Sequence, residues 1–201
     1  MPKRLTTRKT KKQQGGARGY AFKRPSAPSG RNSTYTHEDV AEFFNVLITK
    51  KIDYDHGQLQ TSLPRFFIVN KSHGERGKII IDPKWHKMIN EATFTPDEAT
   101  ETKGYTPLYY ALRYGADYMI IDMLFGVITD INRPNSGRDR STPLIGLCYG
   151  KDETARVNYN YITNAIRKFV ERKAFLNIAN NRGETMLTWL NYKSMSGLID
   201  L

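Results

Sequence analysis

Three segments of the chain repeat one local pattern. They are Gly104-Tyr105-Thr106-Pro107-Leu108, Ser141-Thr142-Pro143-Leu144 and Gly183-Glu184-Thr185-Met186-Leu187. Asp130-Ile131-Asn132 precedes the second, and Leu176-Asn177-Ile178-Ala179-Asn180-Asn181 precedes the third. Each residue type has a local job. Glycine two positions before threonine permits the tight turn that feeds a helix. The threonine hydroxyl serves the helix start, where backbone N–H groups lack partners. Proline suits the first helical position, since its missing N–H costs nothing there. Leucine opens the apolar face. A chain so punctuated predicts repeated helix starts, 36 residues apart between Thr106 and Thr142 and 43 apart between Thr142 and Thr185.

Helical periodicity fills the intervals. Ile120, Ile121, Leu124 and Phe125 share a face, as do Ile162, Ala165, Ile166, Phe169 and Val170. The last unit runs through Leu187, Leu190, Leu198 and Ile199, which predicts a short final helix. Upstream, Val40, Phe43, Phe44, Val46, Leu47 and Ile48 predict an amphipathic helix starting near Glu38. Phe66–Val69 and Lys78–Ile81 flank a polar loop and predict a hairpin or an insertion. Trp85, Met88 and Ile89 predict a short helix after Pro83, and Thr61-Ser62-Leu63 is a candidate opening for a degenerate first unit.

On these motifs the chain resembles the ankyrin repeat family, whose unit of about 33 residues is a β-turn followed by two antiparallel helices. Gly115, nine residues after Thr106, matches the family's glycine between paired helices. The resemblance covers residues 103–201, and residues 37–102 as a divergent capping part. Both intervals exceed the family unit. An extended turn over Arg133–Ser141 and an insertion around Gly150–Tyr161 accommodate the excess. The family's histidine after Thr-Pro-Leu is replaced by Tyr109, Ile145 and Thr188. The resemblance implies a mainly α fold, an ankyrin-like α-solenoid of about three to four helix-pair repeats with insertions.

Charge divides the chain differently. Lys3, Arg4, Arg8, Lys9, Lys11, Lys12, Arg18, Lys23, Arg24 and Arg31 precede the first acid, Glu38. The chain has 31 Lys plus Arg, so the remainder holds 21 basic against 20 acidic residues. Gly15-Gly16, Gly19, Pro25, Pro28 and Gly30 interrupt the basic stretch. It cannot bury enough apolar surface to offset an ordering entropy of about 1–2 kcal/mol per residue. The expected organisation is a disordered basic arm, residues 1–36, before a repeat domain, residues 37–201. Phosphates of nucleic acid attract such an arm without sequence preference, and Tyr20 and Phe22 among its cations suit stacking on unpaired bases. The same basic cluster fits a nuclear import signal, a transit peptide or a solubilising tail.

Catalytic and metal chemistry find little in the sequence. His37, His56, His73 and His86 keep no metal-ligand spacing. Asp53-Tyr54-Asp55-His56-Gly57 reads as a solvated turn before a cation site. Gly74-Glu75-Arg76-Gly77-Lys78 lacks the spacing and the hydroxyl of a phosphate loop. Cys148, the one cysteine, falls on an apolar face, excludes an intrachain disulfide and fits a reducing setting. No apolar run reaches the roughly 18 residues of a membrane span. The expectation is a soluble, intracellular, non-catalytic protein without cofactor or metal, in the nucleus or cytoplasm.

The resemblance also places a partner. Ankyrin stacks bind proteins on a concave face built from hairpin tips and first helices. Its variable positions, four and seven residues after threonine, correspond to Tyr110 and Arg113, Gly146 and Tyr149, and Trp189 and Tyr192. Tip residues correspond to Lys103 and Tyr105, Asp139 and Arg140, and Arg182 and Glu184. Tyrosine, tryptophan and arginine dominate binding energy in interfaces. Tyr110 and Arg113 are expected to be exposed, while Trp189 is equally suited to packing between units. Small proteins with such irregular repeats are similar to host-directed ankyrin proteins of intracellular bacteria and large DNA viruses. The alternative expectation is a structural component of a nucleic-acid assembly, ribosome or virion, anchored by the arm.

Overall fold

A computed structural model describes residues 35–49, 63–70, 77–95, 104–149 and 159–192. The basic stretch, the Asp53–Gly57 cluster, Lys103 and the insertion after Tyr149 lie outside the described residues. What is described is mainly helical. The helices are α1 (His37–Thr49), α2 (His86–Glu91), α3 (Pro107–Arg113), α4 (Tyr118–Val127), α5 (Pro143–Cys148), α6 (Tyr159–Glu171) and α7 (Met186–Tyr192). Strands β1 (Phe67–Asn70) and β2 (Lys78–Ile81) form one antiparallel pair, Phe67 opposite Ile81 and Asn70 opposite Lys78. A 3₁₀ turn, Pro83–Trp85, leads into α2.

The helix starts follow the sequence motif. Thr106 accepts the Tyr109 N–H at 3.4 Å, Thr142 the Ile145 N–H at 3.4 Å and Thr185 the Thr188 N–H at 3.2 Å. Each hydroxyl satisfies one amide that the helix leaves orphaned. Thr36 opens α1 by a reciprocal version. Its hydroxyl accepts from the Asp39 amide at 3.1 Å, and its own amide donates to Asp39 at 2.6 Å. Tyr35 is buried, so the folded body starts before His37. Gly115 takes φ +67° between α3 and α4, a turn that a β-carbon disfavours.

The helices pack in two rows. In one, α1 contacts α3, α3 contacts α5 and α5 contacts α7. In the other, α2 contacts α4 and α4 contacts α6. Within pairs, α3 lies on α4 and α5 on α6. The hairpin is an insertion between α1 and α2, with β2 against α4. Among the described residues the first helix start is Thr36; Thr61 and Ser62 of the expected degenerate opening lie outside them, and Leu63 falls in the loop before β1.

Apolar burial is continuous along the rows. Val40, Phe43, Phe44 and Leu47 recur at helical spacing and are buried. Phe44 stacks on Phe94 at 4.9 Å and meets Tyr110 edge-on at 5.1 Å, while Phe43 meets Phe66 at 5.1 Å. Phe125 and Phe169 join α4 to α6 at 5.0 Å. Cys148 is buried and its thiol points to the Leu144 carbonyl.

Loops also connect unit to unit. Phe94 and Tyr105 exchange backbone bonds of 2.9 and 2.7 Å. The Ser136 amide donates to Gly104 at 3.0 Å, and the Asn181 amide to Asp139 at 2.9 Å. Two arginines close the far ends of the outer helices. Arg133 donates to the Asn90 carbonyl and, at 2.7 Å, to that of Glu91, the last residues of α2. Arg172 donates to the Phe125 carbonyl and, at 2.8 Å, to that of Ile128, at the end of α4. Cations there satisfy orphan carbonyls and complement the helix dipole.

Candidate functional site

The row α1, α3, α5 and α7 carries the residues that the resemblance marked for a partner, and the packing sorts them. Positions four residues after the cap threonine face the preceding unit. Tyr110 packs on Phe44 and Phe94, Gly146 on Tyr109, and Trp189 meets Tyr149 edge-on at 4.7 Å. Tyr110 is 3% exposed, which corrects the expectation of an open side chain. The reason is that Phe44 of α1 and Phe94, which follows α2, both pack against its ring. Tyr105 is buried too, stacked on Tyr109 at 5.1 Å. Neither tyrosine offers a surface to a partner.

Positions seven residues after the cap remain partly open. Arg113 and Tyr149 are half-buried, as are Tyr114 and Trp189. The Arg113 guanidinium carbon lies 5.7 Å from the Tyr105 ring, 5.8 Å from Tyr109, 5.9 Å from Tyr114 and 5.4 Å from Tyr149. Aromatic faces attract cations at this range. Nη1 donates to the Tyr109 hydroxyl at 2.7 Å. Nε is buried without a hydrogen bond among the described residues. Burial works against the charge, yet the surrounding tyrosine oxygens, Tyr109 first, raise the guanidinium above its ordinary value. Arg113 therefore stays a cation in a cup of four tyrosines drawn from two neighbouring units.

A polar cluster borders the cup. The Tyr149 hydroxyl donates to Glu184 at 2.7 Å, and the Asn180 amide donates to Glu184 at 2.8 Å and to Ser141 at 3.2 Å. Those donors hold the Glu184 carboxyl below its usual range. Burial, and then the bond to Glu184, push Tyr149 up to about 12. Asn180 also accepts from the Arg182 and Glu184 amides at 2.9 and 3.0 Å, which shapes the tip before α7.

The tips differ in character. Arg182 is exposed and pairs with Asp139 at 2.5 Å across two units. Arg140 is exposed and holds φ 49°, an uncommon setting for a residue with a β-carbon. Tyr192 is the last residue of α7. The arm cations, Lys3 through Arg24, lie outside the described residues. Tyr114 is a member that no sequence motif singles out, and Asn180 enters the sequence pattern only as part of the stretch before the third repeat, with no site role. Tyr114 stands one residue before the turn glycine, a spacing that carries no signal of its own.

Among the described residues no group of His, Cys, Asp and Glu is arranged to hold a metal ion. Among them, too, no helix is long and apolar enough to cross a membrane. Comparison with protein families and with curated proteins finds no match for this chain.

Proposed function

We propose that this chain is a non-catalytic interaction protein, a short ankyrin-like α-solenoid that holds a protein partner on the row α3, α5 and α7. The observation that carries this reading is the half-buried cluster of Arg113, Tyr114, Tyr149 and Trp189, on or capping three successive helices of one row. These are the residue types that anchor interfaces, set in a surface that packing has already made rigid. Support for the repeat architecture comes from the two rows, the three threonine caps and the loop-to-loop bonds that recur from unit to unit. The test is a photo-crosslinking residue placed at Tyr149 in the full chain, expressed in its native cell. A discrete crosslinked protein is expected from Tyr149 and not from Arg167, exposed on α6. Equal labelling from both positions would remove this reading.

The ten cations ahead of Glu38, with no acid among them, favour a second activity for the arm. It binds nucleic acid by counterion release, or it is read by an import receptor. The runner-up for the whole chain is a structural part of a nucleic-acid assembly anchored by that arm. A full-length variant with the ten Lys and Arg changed to Gln separates these. Single-stranded RNA and duplex DNA are titrated across a salt series against both proteins. Steep salt-dependent binding lost in the variant supports the anchor. Binding unchanged in the variant rules it out, and no binding by either leaves the arm to targeting.

A further inference from the structure

The arginines of the folded body divide by what meets their charge. Arg65 pairs with Asp39 at 2.7 Å and Arg182 with Asp139 at 2.5 Å, while Arg133 and Arg172 sit on backbone carbonyls. Arg113 has none of these among the described residues. Its oxygen partner is the neutral Tyr109 hydroxyl, and its buried Nε donates to nothing described. A half-buried guanidinium with no carboxylate beside it attracts one, and its planar N–H groups suit carboxylate oxygens.

Resting on the protein-binding reading above, we infer that the tyrosine cup around Arg113 is the pocket for one acidic side chain, Asp or Glu, on a peptide segment of the partner. The charge is complementary and desolvated in advance, and the half-buried rings of Tyr114, Tyr149 and Trp189 flank it with apolar surface for the neighbouring residues. A phosphate dianion fits less well. Arg113 stands in the last turn of α3, where the helix carbonyls carry partial negative charge. The Glu184 carboxylate lies just beyond Tyr149 and repels a second negative charge. One cation matches a monoanion.

The experiment pans a displayed random 12-residue peptide library on the full chain, then measures synthesised winners by fluorescence anisotropy. The expected result is enrichment of Asp or Glu at one position. Changing that residue to Gln in the peptide weakens binding at least tenfold. Arg113→Met in the protein does the same, and the two changes together cost no more than either alone. Arg113→Lys, which keeps the charge but not the planar guanidinium, loses several-fold, and serves if the methionine variant does not fold. Phosphoserine at the acidic position binds no tighter than Glu. Winners that bind, lose affinity with Trp189→Ala and are indifferent to Arg113 overturn this pocket and leave the binding face standing. Recovery of no peptide above background overturns both. Tighter binding by a tenfold margin after Asp152→Asn with Glu153→Gln, the acids that follow Tyr149 in the chain, would show that the cup is filled by the protein's own carboxylate and overturn the assignment to a partner.

Discussion

The α-carbon of Gly146 rests on the ring of Tyr109: a β-carbon built on that glycine would lie 2.7 Å from Tyr109 Cδ2 and 2.9 Å from Cε2. This close approach lets α5 seat against α3, and it keeps Tyr109 under Arg113. The ring has nowhere to go, being 2% exposed and tied at its hydroxyl. Gly146→Ala is expected to destabilise the protein by about 1–3 kcal/mol, the range for overpacked cores. Urea denaturation measures it. In a Tyr109→Ala background the same change should cost little, because neighbouring sites couple. A full penalty in both backgrounds would place the strain elsewhere.

The threonine caps give a second prediction. Thr106 and Thr142 are buried and each accepts one amide at the start of its helix. Thr106→Ala and Thr142→Ala should each cost about 1 kcal/mol. Thr→Ser at either position keeps the acceptor and should recover most of that loss. Thermal unfolding of the four variants decides it.

These caps also show how far the sequence could be read. Thr-Pro-Leu marked the starts of α3 and α5 to the residue, because capping is a local matter of side-chain oxygen and backbone amide. The hairpin was legible from two apolar runs flanking a polar loop, and α2 from Trp85, Met88 and Ile89 after Pro83, signals that are local too. The binding face was not. Which side of a seven-residue helix is covered depends on its neighbours in the row, and α1 lies about 60 residues upstream of Tyr110 in the chain. The four-after-threonine position packs on the preceding unit at Tyr110, Gly146 and Trp189 alike, with Trp189 left half-buried, a regularity that appears only once the units are stacked. The Arg113 cup, assembled from Tyr105, Tyr109, Tyr114 and Tyr149, is equally a product of stacking.

Arg172 supplies a third prediction. Its guanidinium bonds two carbonyls at the end of α4 from the next unit, so it joins units as well as capping a helix. Arg172→Met should lower stability by about 1–2 kcal/mol. Amide exchange at Ile128, whose N–H bonds Leu124 in the last turn of α4, should accelerate more than exchange at Ile121 near its start. Uniform acceleration along α4 would mean that the loss is global rather than a frayed end.

The polar cluster beside the cup predicts pH limits in both directions. Glu184 and Asp39 have folded pKa values below their ordinary 4.5 and 3.8. For Glu184 the causes are the bonds from Asn180 and Tyr149. For Asp39, burial opposes the shift, and the Thr36 and Arg65 donors outweigh it. A depressed carboxylate adds stability above its unfolded value and loses it as pH falls through the folded one. The stability difference between the protein and Glu184→Gln should therefore be present at pH 7 and shrink below pH 4. Tyr149 works with the opposite sign. Its pKa rises from 10.0 to about 12, so its contribution is complete below pH 10 and lost between there and pH 12. Tyr149→Phe removes that alkaline loss and also takes a donor from Glu184, so it should shift the acid transition upward while flattening the alkaline one. Urea midpoints for both variants from pH 3 to 11.5 test the link, and an acid transition unmoved by Tyr149→Phe would show that the Tyr149 hydroxyl does not govern the Glu184 charge.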